Sequence, residues 1–298
     1  MIFNNRNGTG AIMAQTLAAR LKQPGLISTP GVFDMISAKI ADAMGFDALY
    51  MTGYGIAASY LGLPDAGLAT YTDMVGRAHA IATGTRTPLI ADGDTGYGGL
   101  LNVDFTVRGY EAAGVQAIQI EDQEFPKKCG HTPGRRVIAI EDAVRKIRVA
   151  VAARSSRDFL IIARTDARSS LGLDEALRRA EAFATAGADI LFVESPESEA
   201  EMVRIGRAFD RPLVANMVEG GRTPIKSRTE LEQLGFKIAL FPVAGFLAMG
   251  AALRAVYGEI KDNGSTRDWT GEMYRFDEFS KLMGFERVWA FEREHAEV

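Results

Sequence analysis

AGVQAIQIED (113–122) decides the fold. A glycine suited to closing a helix leads into a nearly continuous apolar run that ends in two acids. The same order recurs in MGFDALYMTG (44–53), AGADILFVES (186–195) and LGFKIALFPV (234–243). Such runs read as strands buried on both faces. Eight are present: 26–32, 48–53, 88–94, 117–122, 159–166, 190–195, 212–218 and 238–243. Between them lie amphipathic patterns such as 141–154 and 174–186, with apolar residues every three or four positions. Strand alternating with helix builds parallel βαβ units. Eight units without a G-x-G-x-x-G fingerprint favour a closed α/β fold, the (β/α)8 TIM barrel, over a doubly wound sheet.

The rest of the chain fits around that barrel. Of 298 residues, 47% are hydrophobic and 24% charged, the balance of a soluble globular protein. A net charge of -4 argues against a nucleic-acid partner but leaves small anionic substrates open. No apolar run is long enough for a membrane span, and the opening MIFNNRNGTG shows no signal pattern, so the expected compartment is the cytoplasm. The stretch 246–261 reads as the eighth helix, placing the catalytic barrel at 1–262 and a C-terminal helical extension at 263–298. The extension carries Trp269, Tyr274, Phe276, Phe279, Phe285, Trp289 and Phe291. So many aromatic residues need a surface to cover, either a neighbouring subunit or the chain's own barrel.

In a (β/α)8 barrel the reactive groups stand at the carboxyl ends of the strands. Asp92 and Asp94 end the third run, and residues two apart on a strand face the same side. Two converging carboxylates suit a hard divalent cation, Mg2+ or Mn2+ in its place, with Glu121 extending the ring directly or through water. The competing reading makes Asp92 or Asp94 a cap for the glycine-rich turn that follows. Cys129, the lone cysteine, excludes an intrachain disulfide and any cysteine-cluster metal site. It sits in KKCGH (127–131), where Lys127, Lys128 and His131 are expected to lower its thiol pKa and keep it reactive. Gly130 lets that backbone approach a ligand or flex as a lid.

Other strand ends add charged and polar groups. Arg164 suits a two-pronged grip on a substrate carboxylate, the alternative being an ion pair with Asp166 or Glu194. Glu194 and Asn216 end the sixth and seventh runs, where each could hold carboxylate oxygens or metal-bound waters. NMVEGGRTP (216–224) offers backbone NH groups and Thr223 to an anion, or is a plain connection. Asp65, Tyr50 and Tyr54 complete the set, with Tyr50 placed to accept or relay a proton.

These segments resemble the isocitrate lyase/phosphoenolpyruvate mutase superfamily over essentially the whole chain. The matching stretches are TGYGIAASYLGLPDAGL (52–68), ADGDTGYGG (91–99), IEDQEFPKKCGH (120–131), ARTDAR (163–168) and NMVEGGRTP (216–224). KKCGH is the most specific of them. The similarity is closest to the short carbon–carbon lyases, which act on 2,3-dimethylmalate or 2-methylisocitrate, and to the petal death protein.

The resemblance implies that Asp92 and Asp94 hold Mg2+ and that Glu121 contacts a metal-bound water. It assigns Tyr50, Thr52, Gly53 and Asp65 to the substrate and base side, with Tyr54 beside them. Lys127, Cys129, Gly130 and His131 fall on a mobile loop. Arg164, Glu194 and Asn216 fall at the carboxylate end. It implies an oxo-acid lyase that cleaves the C2–C3 bond of a 2-hydroxy dicarboxylate to pyruvate and a carboxylate, with Cys129 as the acid. It also implies a homotetramer in which the eighth helix packs on a neighbour. A 2-alkylmalate is favoured over a tricarboxylate because TGYG and NMVEGGRTP look more like the alkylmalate group. Oxaloacetate hydrolysis or decarboxylation is the nearest rival. It is opposed by Pro242-Val243-Ala244-Gly245, which lacks the hydroxyl typical of that group after the eighth strand. Phosphonate cleavage is disfavoured by Cys129, and a non-catalytic binding barrel by the complete set of site residues.

Overall fold

The computed structural model describes residues 15–296. The opening decapeptide, read for the absence of a signal, lies outside them. All eight expected strands form: β1 (Ile27–Val32), β2 (Leu49–Met51), β3 (Leu89–Asp92), β4 (Ala117–Glu121), β5 (Leu160–Thr165), β6 (Ile190–Val193), β7 (Leu213–Asn216) and β8 (Ile238–Phe241). They run parallel and close on themselves, with β1 joined to β8 from Ile27↔Ile238 to Pro30↔Phe241. The four repeat glycines, Gly45, Gly114, Gly187 and Gly235, all take positive φ (76°, 92°, 103° and 91°). That left-handed turn is open to glycine at little cost, so the repeat marks where each helix stops and its strand begins.

Side chains alternate across each strand and make two cores. Ile27, Tyr50, Ile90, Ile162, Phe192, Val214 and Leu240 point into the barrel, and Leu17 plugs its lower end. Val32, Met51, Ile118, Ile161 and Leu191 point outward beneath the helices. The helix Ile140–Ala153 turns Ala143, Ile147 and Ala150 inward, and Leu173–Thr185 turns Ala176, Ala180 and Phe183 inward. Burying a side chain of Phe183's size contributes about 2–3 kcal/mol. These two layers fix the strand ends rigidly, and the site is built on those ends.

The expected eighth helix is present as Ala244–Asn263, followed by Phe276–Leu282 and Phe285–His295. None of the three buries a residue. Leu247, Tyr257, Phe276, Trp289 and Phe291 all stand exposed, Phe276 at 88%. Of the aromatic residues in the extension, Trp269 and Phe279 are half-buried, while the chain's own barrel leaves Tyr274, Phe276, Phe285, Trp289 and Phe291 exposed. Among the described residues no helix is long and apolar enough to cross a membrane.

Candidate active site

A cavity opens at the carboxyl ends of the strands, as the barrel requires. Its wall holds Tyr50, Thr52, Tyr54, Asp65, Asp92, Glu121, Lys127, Cys129, Gly130, His131, Arg164 and Asn216, all singled out from the sequence. Lys128, Val218, Pro242 and Val243 complete it. Gly53, Asp94, Glu194 and Thr223 are not in the wall; the first three lie just behind it or beside a residue that is. The space left is about 40 Å3, where one ordered water takes at least about 10–15 Å3. The segment after β4 is thus seated as a lid: Cys129 N donates to Asp65 O at 3.1 Å, and Ser195 Oγ donates to Gly130 O at 2.8 Å.

On the acidic side the strand geometry differs from expectation. β3 ends at Asp92, and Asp94 lies beyond it with φ 48°, so a turn and not the strand pleat brings the two carboxylates together. Left-handed backbone at a residue other than glycine is strained and tends to mark functional sites, although aspartate tolerates it better than most. Asp94 N donates to Asp92 Oδ1 at 3.0 Å, and Gln119 Nε2 reaches the same oxygen at 3.4 Å. A Cβ on residue 53 would lie 2.6 Å from Asp92 Oδ2 and 3.5 Å from Asp94 Oδ1. Gly53 therefore clears the space that both carboxylates face.

Lys127 bridges these acids. Its Nζ donates to Asp65 and stands 2.8 Å from Asp94 Oδ1. Burial pushes the Lys127 ammonium down, but Asp94, Asp65, Asp92 and Glu121 outweigh it and hold it well above the ordinary lysine range. Burial pushes the Asp94 carboxyl up to about 7, against Lys127 and helped by Asp92 and Asp65. Among the described residues no three acids, histidines or cysteines are already gathered around one point. The oxygen-only donors and the space opened by Gly53, which both carboxylates face, fit a hard dication held by Asp92 and Asp94.

Burial likewise pushes the Tyr50 phenol well above 10, with Asp92 adding to it and Arg164 opposing. Its hydroxyl donates to Gln119 Oε1 at 3.2 Å. The proton-accepting role expected of Tyr50 meets an opposing environment; a dication on Asp92 would cancel the second of the two causes.

The thiol reverses its expectation. Burial pushes Cys129 up to about 11, with Asp65 and Glu194 adding to it, against the His131 backbone NH and Arg164. The lysines beside it in sequence do not supply the expected positive field. Lys127 is spent on Asp65 and Asp94, while Lys128 is exposed and reaches Gly134 O at 3.5 Å. Cys129 is a neutral thiol at physiological pH. That is the state a proton donor needs, whereas a nucleophile needs the thiolate.

The cationic side is built from β5, β6 and the lid. Arg164 lines the cavity and also makes the ion pair posed as its alternative: Nε and Nη2 each donate to Asp166 at 2.9 Å. His131 Nε2 stands 2.9 Å from Glu194 Oε1, and its Nδ1 accepts from Arg222 N at 3.1 Å, which assigns the ring proton to Nε2. Asn216 Nδ2 donates to Glu194 Oε2 at 3.1 Å, leaving Asn216 Oδ1 without a partner in the wall. Burial would raise the Glu194 carboxyl, but Arg164 and His131 overcome it and hold it far below the usual range. Glu194 is wholly buried, so it orients Arg164, His131 and Asn216 from behind. Thr223, expected on the anion side, is buried with its Oγ1 unpartnered. Gly130 packs so closely that a Cβ there would lie 2.4 Å from Arg164 Nη2.

Several site residues escaped the sequence reading. Gln119 orients Tyr50 and Asp92, and Gln123 ties Glu121 to the lid by donating to Glu121 Oε1 at 2.9 Å and to Lys128 O at 2.8 Å. The available signal for Gln119 was an amide inside an otherwise apolar strand, two residues from Glu121 and so on its face. Arg135 carried no signal in its loop.

The fold and cavity define a (β/α)8 enzyme with facing acidic and cationic halves under a lid that carries a thiol. The phosphoenolpyruvate phosphomutase family model matches residues 17–261, so the chain belongs to that family, within the phosphoenolpyruvate mutase/isocitrate lyase superfamily. It is 47% identical to 2,3-dimethylmalate lyase of Eubacterium barkeri, over 97% of this chain and 98% of the relative. A solved oxaloacetate acetylhydrolase with bound 3,3-difluorooxalacetate superposes with a TM-score of 0.90 at 35% identity, covering 96% of this chain and 97% of that one. A phosphonopyruvate hydrolase in complex with oxalate and Mg2+ superposes at 0.85 with 32% identity, covering 94% and 98%.

Proposed function

We propose that the protein is a Mg2+-dependent carbon–carbon lyase that cleaves a 2-alkylmalate such as 2,3-dimethylmalate to pyruvate and a saturated carboxylate. The observation that carries this reading is one cavity wall that brings the Cys129 thiol together with Asp92 and Arg164. Asp92 and Asp94 would hold the cation, with Glu121 toward a bound water; Mn2+ has the same donor preference. When bound, the cation would polarise the 2-hydroxyl and its neighbouring carboxylate and favour the alkoxide, and Tyr50, its phenol deprotonated beside that charge, would take the hydroxyl proton.

This chain's own residues do the rest. Arg164 holds the far carboxylate, where negative charge grows as the C2–C3 bond breaks and an enediolate forms, and His131, turned to Glu194, closes that side of the pocket. Asn216 offers its unpartnered oxygen as an acceptor for the substrate hydroxyl, and Thr52 and Tyr54 shape the pocket. Lys127 and Asp65 secure the lid, which keeps water from the enediolate. The Cys129 S–H bond then breaks and its proton goes to the enediolate carbon. Val218, Pro242 and Val243 form the apolar wall, suited to an alkyl substituent.

Oxaloacetate hydrolysis is the second reading, favoured by the closeness of the acetylhydrolase structure. Ala244 beyond that apolar wall offers no hydroxyl to it. Purified enzyme with Mg2+ and a panel of 2,3-dimethylmalate, 2-methylisocitrate, citramalate, oxaloacetate and phosphonopyruvate decides between them. The highest kcat/KM is expected for 2,3-dimethylmalate. A preference for oxaloacetate with oxalate release, or any phosphate release, would overturn the assignment.

The barrel is the catalytic unit, and the helices from Ala244 onward are the assembly element of a homotetramer in the cytoplasm. Their exposed Leu253, Tyr257, Trp289 and Phe291 cannot remain in water in such number without a partner surface. Sedimentation of the active enzyme is expected to give the mass of four chains; a monomer would contradict this.

A further inference from the structure

We propose that Arg135 is a positioning residue: by sharing Asp166 it frees the charge of Arg164 for the substrate carboxylate. Arg135 follows the lid, yet its side chain is only 1% exposed. Its Nη1 donates to Asp166 Oδ1 at 2.6 Å, the oxygen that also accepts from Arg164 Nη2 at 2.9 Å. Asp166 is held in place from behind, its backbone NH donating to Asp122 Oδ1 at 2.9 Å.

The charges around Arg164 give this contact its meaning. Asp166 takes two of its donors, Glu121 Oε2 lies 3.4 Å from its Nε, and Glu194 Oε2 lies 3.7 Å away. Facing these acids alone, one guanidinium presents no net positive charge to an anion. Arg135 is a second buried cation on the same carboxylate, so Asp166 no longer draws on Arg164 alone and one of the three negative charges that Arg164 faces is offset. Its Nε and Nη2 have no partner among the described residues. An arginine retained for structure alone would be expected to satisfy such donors. Arg135 need not touch the substrate, since it acts through Asp166 on Arg164.

The inference rests on the proposed carboxylate-binding role of Arg164, but its test does not depend on which substrate is cleaved. Oxalate binding in the presence of Mg2+ is measured by calorimetry on wild type, R135M, R135K, D166N and the R135M/D166N pair. R135M is expected to weaken oxalate by about tenfold or more, as loss of a buried charge partner should. R135K retains the charge and should bind within about threefold of wild type. Removing the acid that Arg135 offsets should restore the affinity, so the double variant should bind clearly tighter than R135M. In turnover, R135M should raise KM and change kcat little. Unchanged oxalate affinity in R135M, or a double variant no tighter than R135M, overturns the proposal. If R135M does not fold, R135Q takes its place in the same comparison. A wild type that binds oxalate but leaves 2,3-dimethylmalate intact counts against the proposed lyase and not against Arg135.

Discussion

Cys129→Ser is expected to lower lyase turnover by about a thousandfold, within the range general acid catalysis supplies, while oxalate binding stays close to wild type. The serine hydroxyl is nearly the same size but holds its proton far more tightly, so it cannot quench an enediolate at a useful rate. Retention of full turnover would remove Cys129 from the mechanism. The same thiol has a solution signature, and the chain has a single cysteine to report it. With its pKa raised to about 11, Cys129 stays neutral well past pH 9. Its alkylation by iodoacetamide should be slow at pH 7.5 and keep rising toward pH 11. A plateau near the ordinary thiol pKa of about 8.5 would contradict the buried, neutral state.

The second large effect concerns the carboxylate pair. Removing divalent cations with EDTA should abolish turnover, and Mg2+ should restore it. Asp92→Asn should lose about a thousandfold in turnover that added Mg2+ does not recover, since polarising the substrate oxygens supplies several kcal/mol. Asp92 accepts from the Asp94 backbone NH and from Gln119, so its amide variant also loosens the turn that places Asp94. Asp94→Asn breaks the pairing with Lys127 as well. Titration with Mg2+ by calorimetry separates the two roles: both variants should bind the ion weakly, and wild-type affinity in either would exclude that side chain as a ligand.

The eight strands were legible because a closed parallel barrel buries each strand on both faces, which forces continuous apolar runs, and because a glycine stops the helix before four of them. Asp92, Glu121 and Arg164 were legible for the opposite reason: charge at the end of an apolar run needs a partner. What failed did so where neighbours in sequence are not neighbours in space. Lys127 and Lys128 flank Cys129 along the chain, yet one turns to Asp65 and Asp94 and the other to solvent, so burial is the largest influence on the thiol. Asp94 was read as strand, although a left-handed turn had already begun. Glu194 sits behind the wall, a depth that no linear pattern encodes. Arg135 lies in an aperiodic loop, and only the folded chain brings it to Asp166.

Cleavage of 2,3-dimethylmalate in D2O tests the central claim most directly. Bond breaking between C2 and C3, followed by one protonation from Cys129, requires equimolar pyruvate and propionate, with one deuterium at C2 of the propionate. Mass spectrometry and NMR of the products should show that single label, and Cys129→Ser should form neither product at a comparable rate. Release of oxalate from oxaloacetate with no pyruvate from 2,3-dimethylmalate would contradict the lyase assignment.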